Sequence, residues 1–135
     1  MGFVKVVARI ENIIDPSRCE EVEMIVDTGA IHPVVPRPVL ERLGIEPRDE
    51  KEFTLASGER VRYQTGEARV GVAGEKVPAV VIFGPAHATP VLGVIVLESM
   101  GLRVDPSKGE LQKTDLLLLG ADEALGTEPQ GSANA

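Results

Sequence analysis

The most informative stretch of the chain is Val22-Glu23-Met24-Ile25-Val26-Asp27-Thr28-Gly29-Ala30. Val22, Met24 and Val26 alternate along it, which is typical of a strand with one buried face. Asp27 follows where this strand is predicted to enter a tight turn. We expect that position to hold the carboxylate still and partly dehydrated, and these conditions suit catalysis. Asp-Thr-Gly occurs once and Asp-Ser-Gly is absent from the sequence, so chemistry that needs two such carboxylates needs two chains.

A simpler interpretation of the tripeptide is a structural turn. An Asp side chain can cap a turn by itself, and Gly29 would permit a positive φ. A given tripeptide also occurs by chance in roughly one chain of this length in forty. The motif therefore needs support from the rest of the sequence.

The composition predicts one β-rich domain. The chain has 135 residues, of which 43% are hydrophobic and only 3% aromatic, so Val, Leu and Ile must build the core. β-branched residues favour strands, and the 14 Gly and 10 Pro favour many short elements over long helices. We expect the domain to span residues 1–119 and a small, polar tail at 120–135 to be disordered.

Charge and cysteine content exclude several classes of protein. The net charge is −7 and no basic stripe is present, which argues against nucleic acid and anionic membrane as partners. Cys19 is the single cysteine, so no disulfide can form within the chain, as suits a reducing compartment. The first residues lack a signal-peptide pattern, and the longest uncharged apolar run, 77–86, is too short to cross a bilayer. We expect a soluble, cytoplasmic protein.

Apolar periodicity and turn residues predict a series of short elements. The first hairpin has strands at 3–14 and 20–26, and the second covers 52–69 with Ala56-Ser57-Gly58-Glu59 at its tip. Strands are also predicted at 67–72 and 76–83, a loop at 84–90, and short strands at 102–104 and 110–112. Short helices are predicted at 39–43 and 94–100, and each ends at a glycine.

One segment of the sequence is repeated. Val39-Leu40-Glu41-Arg42-Leu43-Gly44-Ile45 is echoed by Val96-Leu97-Glu98-Ser99-Met100-Gly101-Leu102. Shared rules for ending a helix can produce such matches. We favour a second interpretation, two related half-domains, because each copy follows a strand and a glycine-containing corner.

Together these residues resemble the retropepsin family, the retroviral-type aspartic proteases and their cellular relatives. The resemblance covers about residues 4–112. It depends on Val26-Asp27-Thr28-Gly29-Ala30, on the glycine-tipped hairpin where the family has its flap, and on the corner Val91-Leu92-Gly93 before the second helix. It implies a mainly β fold, a small closed barrel with an internal pseudo-twofold and one or two short helices, assembled as a homodimer.

The resemblance also implies the roles of individual residues. Asp27 of each chain would be catalytic, Thr28 and Gly29 would support the active-site loop, and Leu92 and Gly93 would form the hydrophobic-glycine corner. Substrate, a peptide or protein, would be bound by Ala30 and by the flap residues Ala56, Ser57 and Gly58. The implied mechanism uses a water between the two carboxylates and needs no metal or organic cofactor.

Some features depart from the family pattern. Ile31-His32-Pro33 follows Ala30 where many relatives have a small polar residue, and we expect His32 and His87 to be exposed turn residues. A position of His32 near the cleft, where it would tune substrate charge, is the alternative. Residues 116–119 could support dimerisation or pack on the core.

Two other functions remain open from the sequence. One is a non-catalytic dimeric binding or scaffold module of the same fold. The other is an acidic β module that binds a small ligand or cation, although its carboxylate clusters lack metal-site spacing.

Overall fold

A computed structural model describes residues 4–116. The predicted tail at 120–135 and residues 117–119 lie outside this range. Nine strands and two short helices follow one another along the described residues. They are β1 (Lys5–Glu11), β2 (Cys19–Val26), β3 (Val34–Pro36), α1 (Arg37–Arg42), β4 (Asp49–Thr54), β5 (Arg60–Val72), β6 (Glu75–Gly84), β7 (Val91–Leu92), α2 (Val94–Ser99), β8 (Leu102–Asp105) and β9 (Glu110–Lys113).

The two predicted hairpins are present, and their strand boundaries differ from the predicted ones. Strand β1 is shorter than 3–14 because Asn12 ends it: its Oδ1 accepts the N–H groups of Ile14 and Asp15, at 2.9 and 3.0 Å. The second strand of the predicted hairpin at 52–69 and the predicted strand at 67–72 are one continuous strand, β5, which pairs with both β4 and β6. One long strand therefore belongs to two hairpins.

The strands of the main sheet form a closed ring. Neighbours pair in the order β1, β2, β7, β3, β6, β5, and β5 then pairs back to β1 through Ile10↔Val70. Strand β4 pairs with β5 outside this ring, and β8 with β9 forms a separate two-stranded sheet. The mainly β architecture and the small closed barrel of the prediction are confirmed.

The core fills this ring with aliphatic side chains. Val22, Met24 and Val26 are buried, as the alternation along β2 predicted. Leu40 and Leu97, one from each helix, are fully buried against the same cluster. Phe83 is the one aromatic residue of this cluster. In residues 4–116, no helix is long and apolar enough to span a membrane.

An internal pseudo-twofold relates the two halves of the ring. Residues 25–45 align with residues 82–102 without a gap. Identical pairs are Ile25/Ile82, Pro33/Pro90, Val34/Val91, Val39/Val96, Leu40/Leu97, Glu41/Glu98 and Gly44/Gly101. Both helices end at a glycine with φ near +70°, Gly44 and Gly101, which is the left-handed conformation that glycine tolerates.

Hydrogen bonds across the ring repeat under the same relation. The N–H of Ile25 donates to the carbonyl of Pro90 at 3.0 Å, and the N–H of Ile82 donates to the carbonyl of Pro33 at 2.8 Å. Strand β7 pairs parallel with β2, and β3 pairs parallel with β6. The two short strands meet at Val34↔Val91, which are equivalent residues. Each half thus supplies a short strand to the sheet of the other half.

Candidate active site

Asp27 stands directly after β2, in a loop that its own hydrogen bonds organise. Its N–H donates to the carbonyl of Leu92 at 3.1 Å, which continues the pairing of β2 with β7. Its Oδ1 accepts the N–H of Gly29 at 2.8 Å, and its carbonyl accepts the N–H of Ala30 at 3.1 Å. The backbone therefore fixes both the position of Asp27 and the direction of its carboxylate.

Residues from the second half of the chain contact and support this loop. The N–H of Val94, at the start of α2, donates to the carbonyl of Ala30 at 2.8 Å. Gly93 packs so tightly on the loop that a Cβ there would overlap the carbonyl of Ile31 and lie 2.9 Å from the carbonyl carbon of His32. Leu92 is fully buried beneath the loop. The structure thus brings the predicted hydrophobic-glycine corner into direct contact with the Asp-Thr-Gly loop.

The carboxylate of Asp27 points to the surface of the single chain. Asp27, Thr28 and Gly29 are all exposed, whereas Val26 before them is buried. One chain therefore does not provide the partial dehydration expected for Asp27. A further surface must cover the carboxylate if it is to leave water.

Beside Asp27 lies a cleft of about 920 Å³. Its walls come from three segments: the loop that follows β2, the hairpin of β4 and β5, and the loop between β6 and β7. The lining residues are Asp27, Gly29, Ala30, Ile31, His32, Val34, Glu52, Phe53, Thr54, Leu55, Ala56, Tyr63, Ile82, Pro85, His87 and Ala88. Most of the lining is apolar, as is usual for ligand-binding clefts in proteins.

The predicted flap residues divide into two groups. Ala56 lines the cleft, whereas Ser57 and Gly58 lie at the hairpin tip, away from the described lining. The tip is an ordered turn in which the N–H groups of Leu55 and Gly58 donate to the carbonyls of Glu59 and Leu55, both at 2.8 Å. Gly58 has φ +89° and no atom near its missing Cβ, so it shapes the turn. On this side, the wall of the cleft comes instead from the residues before the tip, at the end of β4.

Both histidines of the chain line the cleft. His87 stands in an exposed turn, as predicted, whereas His32 has the alternative position near the cleft. His32 is half-buried, and His87 is exposed at the edge of the groove. Burial lowers the pKa of His32, and the positive charge of Lys51 lowers it further. The sequence signal that could have placed both histidines in the cleft is their position: each lies a few residues beyond the end of one of two equivalent strands, β2 and β6.

The pseudo-twofold places Gly84 at the position equivalent to Asp27. Residues Ile25, Val26 and Asp27 correspond to Ile82, Phe83 and Gly84 at the ends of β2 and β6. A Cβ on Gly84 would lie 2.8 Å from Cγ1 of Val34 and 3.1 Å from Cβ of Ala88, so this loop has no room for a carboxylate. Of these two equivalent loops, one carries the carboxylate of Asp27 and the other has a glycine at that position.

Among residues 4–116, no three side chains of the His, Cys, Asp and Glu types come together as a metal site. The titratable groups of the cleft wall are Asp27, the two histidines, Glu52 and Tyr63.

Comparison with known proteins identifies the family of this chain. The family described as "gag-polyprotein putative aspartyl protease" matches residues 19–99, a span that includes Asp27, the flap hairpin and the corner at Gly93. Among solved structures, the chain is similar to the protease of Simian Foamy Virus (mac), with 20% identity and a TM-score of 0.47. That similarity covers 66% of this chain and 86% of the viral one. No match was found among curated proteins. The matched span is more than half of the sequence, and the chain belongs to the retropepsin-like aspartic protease family of gag-polyprotein type.

Proposed function

We propose that this protein is a homodimeric aspartic endopeptidase whose catalytic pair consists of Asp27 from each of two chains. The observation that carries the proposal is the pair of equivalent loops, of which one ends in the exposed carboxylate of Asp27 and the other in Gly84. A dyad cannot be completed within the chain. A second copy, placed on the exposed face of the loop, would supply the missing carboxylate and cover the first.

The chemistry follows from bringing two carboxylates together. Like charges about 3 Å apart cannot both ionise, so the pair holds one proton. The ionised Asp27 removes a proton from a water whose oxygen attacks the peptide carbonyl carbon, while the protonated Asp27 donates its proton to the carbonyl oxygen. The tetrahedral intermediate then collapses as the nitrogen gains a proton and the carbon–nitrogen bond breaks. No covalent intermediate with the protein is required.

The remaining walls would hold the substrate. Phe53, Leu55 and Ala56 on the flap side face a cleft that also contains Ile31 and Ile82. We infer that a peptide lies extended in this groove with apolar side chains beside the bond that is cut. The flap would exclude water as it closes, which strengthens the polar contacts to the reacting carbonyl. The single cysteine suits a reducing compartment, so a cytoplasmic location is part of the proposal.

The first test compares the wild type with Asp27→Asn on a pool of quenched peptides from about pH 3 to pH 8. We expect the wild type to cleave and the variant to lose at least about a thousandfold in kcat/KM, because Asn cannot exchange the proton. Both proteins are first shown to be folded by circular dichroism. Equal cleavage by the two proteins would contradict the assignment of Asp27. A folded wild-type dimer that cleaves nothing would instead favour a binding module.

Mixing the two proteins tests whether the dyad is shared. If the chains exchange between dimers, an excess of Asp27→Asn protein should suppress wild-type activity, since each mixed dimer has one competent carboxylate. Ile95, on α2, is 49% exposed and borders the loop of Asp27, so we place it in the proposed interface. An equal excess of an Asp27→Asn chain that also carries Ile95→Glu is the control and should suppress much less. Unchanged wild-type activity in both mixtures would mean that one chain suffices.

A further inference from the structure

The hairpin wall of the cleft presents one phenol hydroxyl, that of Tyr63. Tyr63 and Phe53 both line the cleft, with ring centroids 6.5 Å apart and ring planes tilted by 39°. Along β5, Arg60 and Arg62 are exposed, whereas Val61 and Tyr63 are half-buried. Because side chains alternate between the two faces of a strand, the ring of Tyr63 lies on the face opposite the two arginines, toward the groove.

The hydroxyl of Tyr63 is available to a ligand. Among residues 4–116, no group forms a hydrogen bond with it. In the same part of the chain, no buried side-chain nitrogen or oxygen lacks a partner, so this hydroxyl is open to water. A peptide that fills the groove must displace this water. The displaced hydrogen bond is then either replaced by the peptide or lost.

The charges of the cleft favour a neutral partner for this hydroxyl. The lining residues, all within 4–116, include the carboxylates of Asp27 and Glu52 and neither Lys nor Arg. Oε1 of Glu52 lies 3.9 Å from a guanidinium nitrogen of Arg60, so Glu52 is partly compensated, whereas Asp27 has no such neighbour. A substrate carboxylate would meet the negative charge of the Asp27 pair. An amide oxygen accepts the same hydrogen bond without that repulsion.

We propose that the hydroxyl of Tyr63 binds an amide side chain of the substrate, so that the enzyme prefers peptides with Gln or Asn at the position that faces the β4–β5 hairpin. This inference rests on the proposed protease function and deepens it. An extended peptide directs successive side chains to opposite walls, so one residue near the cut bond faces this hairpin. Its amide offers both a donor and an acceptor, and a phenol hydroxyl can pair with either.

The preference arises from what happens when the partner is missing. An apolar side chain at this position would cover the hydroxyl and leave it without a hydrogen bond, which costs more than a bond exchanged with water. A site that pairs with a polar substrate group therefore rejects an apolar analogue of the same size. Tyr63 thus adds a specificity determinant to a groove that otherwise selects for apolar surface.

The test measures binding separately from cleavage. Three peptides with the same apolar core carry Gln, Met or Glu at one position, which is varied in turn along the peptide. Met matches Gln in length and lacks the amide. The peptides are titrated by calorimetry into full-length Asp27→Asn protein at pH 7.5, where a histidine is ordinarily neutral. At one position, we expect the Gln peptide to bind about tenfold more tightly than the Met peptide, and more tightly than the Glu peptide.

Substitutions assign the preference to one hydroxyl. Tyr63→Phe, added to Asp27→Asn and shown by circular dichroism to be folded, should bring the Gln and Met peptides within about twofold of each other. Ser57→Ala removes a hydroxyl from the tip of the same hairpin, outside the cleft lining, and should leave the preference unchanged. Tyr63 is the one tyrosine of the chain, so its hydroxyl proton can be assigned in the NMR spectrum. This proton should become visible only with the Gln peptide, because a hydrogen bond slows its exchange with water.

The outcomes separate this inference from the proposed function. Equal affinity for the Gln and Met peptides at every position, tighter binding of the Glu peptide, a preference that survives Tyr63→Phe, or no binding of any peptide would overturn the subsite. If wild-type protein cleaves the Gln and Met peptides with equal kcat/KM, the subsite is wrong while the protease function stands. If the Gln peptide binds preferentially through Tyr63 but Asp27→Asn does not impair cleavage, the subsite stands and the catalytic proposal fails.

Discussion

At the scale of single residues, Gly93 shows how closely the two halves meet beneath the loop of Asp27. Its φ of −86° is accessible to any residue, so glycine is not needed for backbone conformation. Glycine is needed because a Cβ would overlap the backbone at Ile31. The position is sterically closed, and the loop that holds Asp27 rests on it.

Gly93→Ala should therefore destabilise the protein by about 3 kcal/mol, at the upper end of the cost of overpacking. It should also lower kcat/KM, because relief of the overlap must move Ile31 and with it the active-site loop. Gly109→Ala, which has φ +64° but open space around it, is the control and should cost about 1 kcal/mol with activity unchanged. Urea unfolding and peptide cleavage give the two readouts. Equal losses for both variants would contradict the steric explanation.

Glu11 is a second residue for which the structure predicts a measurable effect on stability. It is buried, and its Oε2 accepts from Nζ of Lys76 at 3.0 Å and from Nε of Arg9 at 2.8 Å. The hydrogen bond from Lys76, and to a smaller extent that from Arg9, lowers the pKa of the Glu11 carboxyl despite its burial. Because the pKa of Glu11 is lower in the folded state than its ordinary value of 4.5, the ionised carboxylate stabilises the fold fully above pH 4.5. This stabilisation is lost as the pH falls below that value.

We expect Glu11→Gln to cost about 1–3 kcal/mol at neutral pH, because Lys76 and Arg9 lose a charged acceptor. The difference from wild type should shrink as pH falls below 4.5, since protonation removes the same charge from the wild type. Thermal unfolding of both proteins from pH 7 to pH 3 measures this. Glu23→Gln, at an exposed position on β2, should behave as wild type. A difference that is constant with pH would contradict the role of the charge.

At the scale of elements, the β4–β5 hairpin contributes its strands to the cleft more than its tip. Phe53, near the end of β4, is half-buried and lies 6.5 Å, centroid to centroid, from the ring of Tyr63 on β5. Both rings line the groove, whereas Ser57 and Gly58 do not. The sequence predicted the hairpin and its tip correctly, because alternation and turn residues are local signals. It could not predict which hairpin residues face the groove, since that depends on the distant loops at 30–34 and 85–88.

Phe53→Ala should raise KM for apolar peptides about tenfold with a smaller change in kcat, because it removes contact area from the bound peptide. Ser57→Ala, at the tip of the same hairpin, should leave both constants within about twofold. Steady-state kinetics at one pH compares them. A larger effect from Ser57 than from Phe53 would place the substrate contact at the tip instead.

At the scale of the whole molecule, the ring and its pseudo-twofold explain what sequence patterns could and could not reveal. The echo between 39–45 and 96–102 was visible because helix-ending residues were kept in both copies. The correspondence of Asp27 with Gly84 was not part of the predicted echo, because residues 26–32 and 83–89 have no identical pair; the residues on either side and the strand pairing together align these loops. Ring closure through Ile10↔Val70 was equally hidden because pairing between distant strands leaves no local pattern. The loops that carry the two histidines are brought together by the pairings of β2 with β7, β7 with β3 and β3 with β6.

The surface beside the catalytic loop carries apolar groups that a partner could cover. Ile95 on α2 is 49% exposed, and its N–H lies 3.4 Å from the carbonyl of Ile31, so it borders the loop of Asp27. Ile14, 85% exposed in the β1–β2 turn, lies in another part of the surface. We expect Ile95→Glu to weaken the dimer at least about tenfold and Ile14→Glu to leave it unchanged. Sedimentation equilibrium, with activity measured across the same concentrations, tests this. An unchanged dimer in Ile95→Glu would place the interface elsewhere.

Because β3 pairs with β6 and β7 pairs with β2, each half of the barrel completes the sheet of the other half. A single stretch of backbone joins the two halves. That link runs through the flap, since β3 and α1 precede it and β5 to α2 follow it. Cutting the backbone at the exposed tip would leave two fragments, each with open strand edges that only the other fragment can complete. Fragment complementation would then restore the fold from separate pieces.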